Sequence, residues 1–118
     1  MPEPIIICLH QPALELAEKV ASLCDGEVHG LQSRVNTIPE TFEKTKEHLQ
    51  DLFQKGHPLV GICSSGILIR SLADVLSDKH TEPPVLAVAE DGSCVIPLLG
   101  GHYGANELAR KIASGLGV

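Results

Sequence analysis

Three short runs of apolar residues recur along this chain with no charged residue inside them: Ile5-Ile-Ile-Cys-Leu9, Pro58-Leu-Val-Gly-Ile62 and Val85-Leu-Ala-Val-Ala89. A strand with one face in water alternates apolar with polar residues, whereas a strand covered on both faces does not. Each run is too short for a buried helix, and β-branched residues are frequent in them. All three therefore predict strands of a sheet with cover on both sides. The cover has to come from helices, and the intervening segments supply them.

Between Ala13 and Cys24 the residues Leu14, Ala17, Val20, Ala21 and Cys24 recur at helical spacing. Pro12 suits the first turn and Asp25-Gly26 a stop. Glu27-Val-His-Gly-Leu31 predicts a second short strand, and Gln32 to Pro39 a polar loop. Thr41 to Lys55 predicts a charged surface helix with Phe42, Leu49, Leu52 and Phe53 on a narrow apolar face, ended by Gly56. Ile67 to Leu76 is apolar around most of its circumference, which predicts a largely buried helix. After the polar loop Ser77 to Pro84, Val85–Ala89 and Cys94–Leu99 flank the turn Glu90-Asp-Gly-Ser93 closely enough to predict an antiparallel hairpin. Ala105, Leu108, Ala109, Ile112, Ala113 and Leu116 stripe the last helix. The sum is an α/β domain, a small and mainly parallel sheet with helices on both faces and one antiparallel hairpin.

The stretch with most chemical content is Ile96-Pro-Leu-Leu-Gly-Gly-His-Tyr-Gly-Ala-Asn-Glu-Leu-Ala-Arg110. Paired glycines let the backbone turn sharply and approach a ligand closely. The helix behind them offers unpaired N–H groups and the positive end of its dipole. Histidine, set among them at position 102, is the side chain whose ordinary pKa lies near neutrality. This predicts a site for an anionic or carbonyl-bearing ligand, with Gly100, Gly101, Tyr103, Gly104 and Asn106 around His102. Ser64, Ser65 and Gly66 form a second such loop, read equally well as a plain helix cap or as a cap that also contacts a ligand. Ligands of parallel α/β sheets bind beyond the carboxyl ends of the strands. His10-Gln11, Cys63–Gly66 and Gly100–Gly104 would gather there if their strands are mutually parallel, and His10 would then approach His102. His29, His48, His57 and His80 are scattered and expected to face solvent.

Composition excludes several classes. With 118 residues, net charge −6 and only 3% aromatic residues, the chain offers neither a basic patch nor a stacking platform for nucleic acid. Cys8, Cys24, Cys63 and Cys94 make no CxxC pair and no zinc-site spacing, so no metal site is predicted and the thiols are expected to be buried and reduced. No run reaches the length of a membrane span, and the apolar N-terminal run has no basic residues before it. The expected location is cytoplasmic.

Three ordered blocks, Leu59–Arg70, Asp78–Gly92 and Val95–Ala109, closely resemble the N-terminal part of CbiG, the cobalt-precorrin-5A hydrolase family of cobalamin (vitamin B12) biosynthesis. The resemblance implies binding of a corrin precursor and opening of the δ-lactone of a tetrapyrrole, with release of acetaldehyde. It makes His102 the candidate base. The N–H groups behind Gly104 and around Ser65-Gly66 become donors to an oxyanion or clamps for the macrocycle's carboxylates. The domain needs no cofactor of its own on this reading, and any cobalt would arrive within the substrate. Only Gly104 stands between Tyr103 and Ala105, where the common family pattern has two glycines. That shorter form is similar to the version fused ahead of a precorrin-3B methyltransferase. Residues 1–118 are then expected to be one domain of a longer protein, covalently linked to a second CbiG-type domain or to a methyltransferase. The alternative function is a non-catalytic substrate-binding or docking domain of that methyltransferase. The apolar third helix is compatible with a homodimer.

Overall fold

The computed structural model describes residues 2–118. The predicted alternation is present as β1 (Ile5–Cys8), α1 (Leu14–Cys24), β2 (Glu27–Leu31), β3 (Thr41–Phe42), α2 (Thr45–Gln54), β4 (Leu59–Ile62), α3 (Ser65–Leu72), β5 (Val85–Val88), β6 (Val95–Leu99) and α4 (Ala105–Leu116). The strands form one sheet in the order β3-β2-β1-β4-β5-β6. Neighbours from β3 to β5 pair in parallel, and β6 alone runs antiparallel, against β5. The fold class is the one expected from the sequence.

The all-apolar runs are explained by two separate cores. Successive side chains of a strand point to opposite faces. Ile6, Cys8, Val60, Ile62, Leu86 and Val88 pack under α1 and α4. Ile5, Ile7, Leu59, Val85 and Ala87 pack under α2 and α3, meeting Leu49, Leu52, Phe53, Leu68 and Leu72. Gly61 belongs to the second face, where a methyl group in its place would lie 2.8 Å from Leu68 Cδ2.

Two helix assignments are corrected. The expected helix from Thr41 begins only at Thr45, because Thr41 and Phe42 pair with Gly30 and Leu31 as an edge strand. Phe42 therefore reaches the core from the sheet. The helix expected to be largely buried, Ile67 to Leu76, is α3 followed by a 3-10 turn at Ala73–Val75. It buries Leu68 and Leu72 but leaves Ile67, Ile69 and Leu76 exposed. Only one row of its apolar residues finds the sheet.

At the other edge, β6 carries Pro97, and its register against β5 slips by one residue between Val85↔Leu99 and Leu86↔Pro97. A proline is tolerated in an edge strand because no further strand needs its missing N–H. Among the described residues no helix is long and apolar enough to cross a membrane.

Three of the four cysteines are buried as expected, while Cys94 is exposed at the start of the hairpin's second arm. Burial pushes the Cys63 thiol up to about 11, with the Glu90 carboxylate adding to the effect. Burial likewise raises Cys8 and Cys24. A maleimide at neutral pH should label Cys94 alone in the native state and all four thiols in denaturant, checked by intact mass. The sign for stability follows. Above pH 9.0, the ordinary thiol value, the unfolded chain loses the Cys63 proton while the folded chain keeps it. Stability should therefore decline as pH rises towards 11, and urea midpoints measured between pH 8 and pH 10.5 check this.

Candidate functional site

The hairpin decides where the glycine–histidine loop lies. Leu99 at the end of β6 pairs with Val85 at the start of β5, so Gly100 follows at the amino ends of the parallel strands. Cys63 and Ser64 follow β4, and His10 follows β1, at the carboxyl ends. The two edges are separated by the length of β5, about 13 Å at 3.3 Å per residue. The expected gathering of three loops therefore does not occur. His10 does not approach His102, and the N–H groups near Ser65-Gly66 cannot serve the same reacting atom as His102.

At the amino edge, Gly100 has φ +83 and lies against the chain before β5, where a Cβ would come 2.5 Å from Pro83 O and from Pro84 N and Cα. Its N–H-accepting carbonyl anchors the loop, taking bonds from Tyr103 N at 2.9 Å and Ala105 N at 3.2 Å. Gly101, His102 and Tyr103 form a 3-10 turn, all three exposed. Gly101 differs from its neighbour: a methyl group there would meet nothing within 4 Å, and its φ is not in the left-handed region. Folding gives no reason for glycine at that position. Gly104 (φ +94) starts α4 with no side-chain cap, and Asn106 in the first turn lines a shallow hollow of about 110 Å³ together with Pro97, Leu98, Leu99, Gly101 and Ala105. On the other side of β6, Leu68, Leu72, Leu76, Val85, Leu98 and Leu99 line an apolar groove of about 240 Å³.

Sequence reasoning missed two members of this edge. His80, expected to be solvent-facing and isolated, lies with its ring centroid 4.6 Å from that of His102. An Asx turn places it, in which His80 N donates to Asp78 Oδ1 at 2.9 Å. Glu82 is 8% exposed, a buried carboxylate immediately before Pro83-Pro84, with no ion-pair partner among the described residues. No periodicity could have shown either, since both depend on how an irregular loop folds back onto β6.

At the carboxyl edge, His10 Nε2 contacts Glu90 Oε2 at 2.8 Å, above buried Cys8 and Cys63. Ser64 is the N-cap residue of α3, yet neither it nor any other side chain caps the helix. The plain capping reading of that serine is not borne out. Ser65 and Gly66 form the first turn, and a methyl group on Gly66 would lie 3.3 Å from Arg70 Nη1. This crevice lies between β1 and β4, where the connections leave in opposite directions, the usual ligand position of such sheets.

A third cluster was also missed. His29 and His48, expected to be separate and solvent-facing, share a hydrogen bond at 2.8 Å between Nδ1 and Nε2. Burial lowers the His48 pKa and the neighbouring His29 adds to it.

The family model described as "Cobalamin synthesis G N-terminal" matches residues 47–118, from α2 to the end of α4. The cobalt-precorrin-5A hydrolase of Priestia megaterium is 42% identical over 69 residues, which cover 58% of this chain and 18% of that protein. The cobalt-precorrin-5A hydrolase of Salmonella typhimurium is 45% identical over 60 residues, covering 50% of this chain and 17% of that protein. The chain thus matches less than a fifth of the length of either relative. A solved structure of a cobalamin biosynthesis protein G homolog from Sulfolobus solfataricus superposes with a TM-score of 0.70 at 22% identity, over 98% of this chain and 34% of that one. That likeness extends the shared fold to β1–β3, which the family match leaves out. By the match over its larger part, the chain belongs to the cobalamin synthesis G N-terminal family.

Proposed function

We propose that the domain acts in cobalamin biosynthesis by holding a corrin precursor at the amino edge of the sheet, and that it takes part in opening the δ-lactone of cobalt-precorrin-5A. The observation that carries the placement is Gly101. It is a glycine that neither backbone conformation nor crowding requires, in an exposed loop between an uncapped helix N-terminus and an apolar groove. Close approach of a ligand explains such a residue.

The surfaces suit a tetrapyrrole's two chemistries. The groove by Leu72, Leu76 and Leu98 offers apolar contact to a macrocycle, and exposed Tyr103 adds an aromatic face. The Ala105 N–H is taken by Gly100 O, and the N–H groups of Asn106 and Glu107 behind it, with the Asn106 side-chain amide, offer donors to peripheral carboxylates or to a developing oxyanion. His102 is the general base in this reading, taking a proton from the water that adds to the lactone carbonyl. His80 lies beside its ring and limits the positions it can take. Glu107, one turn into α4, has its carboxylate near Gly104 and would have to swing away from an anionic group.

Both hollows are below the roughly 300 Å³ at which small-molecule pockets begin. The domain thus provides one wall of a site, in keeping with a covalently linked second domain. The same observation favours the second reading, a substrate-holding module without turnover. Incubation of the chain with cobalt-precorrin-5A, followed by mass spectrometry and an acetaldehyde assay, separates the two. Turnover that falls by 10²–10⁴-fold in His102→Ala, the usual contribution of a general base, supports the hydrolase reading. Retention of the tetrapyrrole without turnover, weakened by Gly101→Val, supports the holding module. Neither turnover nor retention would overturn both.

A further inference from the structure

We infer that Glu27, His29 and Glu40 form a binding site for a single divalent transition-metal ion, with zinc as the best fit, separate from the glycine–histidine loop. Strand geometry brings them together. Glu27 and His29 are two residues apart on β2 and so share a face. Glu40 precedes β3, where Gly30 N donates to Glu40 O at 3.0 Å and the pairing Gly30↔Thr41 continues back to His29 beside Glu40. One ligand atom from each of the three lies within 4.8 Å of the others.

One distance already matches a coordination shell. Glu27 Oε1 is 3.4 Å from His29 Nε2, long for a hydrogen bond. It equals the ligand–ligand edge of about 3.4 Å in a tetrahedron with bonds of about 2.1 Å to nitrogen and oxygen. The Glu40 carboxylate is exposed and needs only to swing inward to complete a third vertex. A fourth position stays open to water.

The imidazole is held as a ligand from behind. Its Nδ1 is bonded to His48 Nε2 at 2.8 Å, and the His48 ring is itself stacked on Phe42 at 4.5 Å and 9°. In the tautomer whose Nδ1–H donates to His48, Nε2 keeps a lone pair within reach of the Glu27 and Glu40 carboxylates and can ligate a cation. Metal-bound histidines usually have their second nitrogen anchored in this way. Two carboxylates and one imidazole suit zinc among the available divalent ions. The site is four strands from β6, about 19 Å at 4.8 Å per strand, so it does not rest on the proposed corrin site.

Zinc chloride titrated into the full chain at pH 7.5 by calorimetry, with equilibrium dialysis in parallel, tests the inference. One zinc ion per chain is expected at micromolar affinity or tighter, weakened at least 100-fold in the surface variant Glu27→Gln/Glu40→Gln. His48→Gln should weaken it by about 10–100-fold, the range for an outer partner of a ligating histidine. Circular dichroism confirms that each variant is folded. Absence of saturable one-to-one binding overturns the site. So does binding that survives Glu27→Gln/Glu40→Gln but is lost in His80→Ala/His102→Ala, which would assign the zinc to the other imidazole pair.

Discussion

Gly100→Ala is expected to lower the stability of the domain by about 2–6 kcal/mol, whereas Gly101→Ala, one position later, leaves stability within about 0.5 kcal/mol of the parent. Two penalties coincide at the first position. Gly100 occupies φ +83, a region that costs a residue with a Cβ about 1–3 kcal/mol. The added methyl group would also stand 2.5 Å from backbone atoms of Pro83 and Pro84. Those atoms cannot yield freely, because Pro84 O accepts Leu59 N at 2.9 Å and so ties the segment to β4. Overpacking adds about 1–3 kcal/mol, and the sum is a large part of the 5–15 kcal/mol that holds a domain together. Gly101 has open space and ordinary φ. Urea denaturation of the two variants side by side reads the contrast directly. Equal losses at both positions would show that the loop does not fold as described.

Gly61→Ala should cost about 1–3 kcal/mol in the parent and much less in a Leu68→Ala background. Gly61 is in the central strand β4, and a Cβ there would lie 2.8 and 3.0 Å from the two Leu68 methyl carbons and 3.0 Å from Cys63 Sγ. Leu68 is fully buried between α3 and the sheet, so a displaced side chain would have to give up packing there or turn towards the groove beside Leu72 and Leu98. Leu68→Ala alone opens a cavity and should cost about 2–5 kcal/mol. A methyl group from residue 61 would partly refill that space. The double variant should therefore be more stable than the sum of the two losses predicts, with a coupling of about 1–3 kcal/mol. Denaturation midpoints of the four proteins in the cycle check it. Strict additivity would mean that the helix shifts away instead of holding its position.

Much of the architecture was legible because burial on both faces leaves a simple mark. The runs at Ile5, Pro58 and Val85 had to be inner strands, and β1, β4 and β5 are three of the four inner ones. The stripe from Ala105 to Leu116 likewise specified α4. What failed were segments whose partner is non-local. Thr41-Phe42 reads equally well as the first turn of a charged helix, and only its pairing with Gly30 and Leu31 makes it a strand. Ile69 looks buried by its neighbours' pattern, yet it stays half-exposed at the rim of the groove beside β5 and β6. The candidate site suffered from a conflict already present in the sequence. A β5–β6 hairpin was expected, and so was a meeting of His102 with the ends of β1 and β4. An antiparallel strand delivers its successor to the opposite edge, so the hairpin rules out the meeting. His80 and Glu82 were beyond reach because they depend on the conformation of an irregular loop, and the His29–His48 pair because it joins a strand to a helix packed across the sheet, which no spacing encodes.

Pro97 and the slipped register beside it have a consequence for how this domain can be joined to anything else. A sheet grows by adding chains to its margins, and a margin is receptive only where donors and acceptors alternate without interruption. β6 withholds one donor at Pro97 and loses its spacing between Val85 and Leu86; at the far margin β3 is two residues long. Neither side can template a seventh strand. Anything that joins this domain must therefore engage the poles of the sheet or its helical flanks. Chains crowded together at high concentration are protected from edge-to-edge sheet growth for the same reason, without help from their net charge.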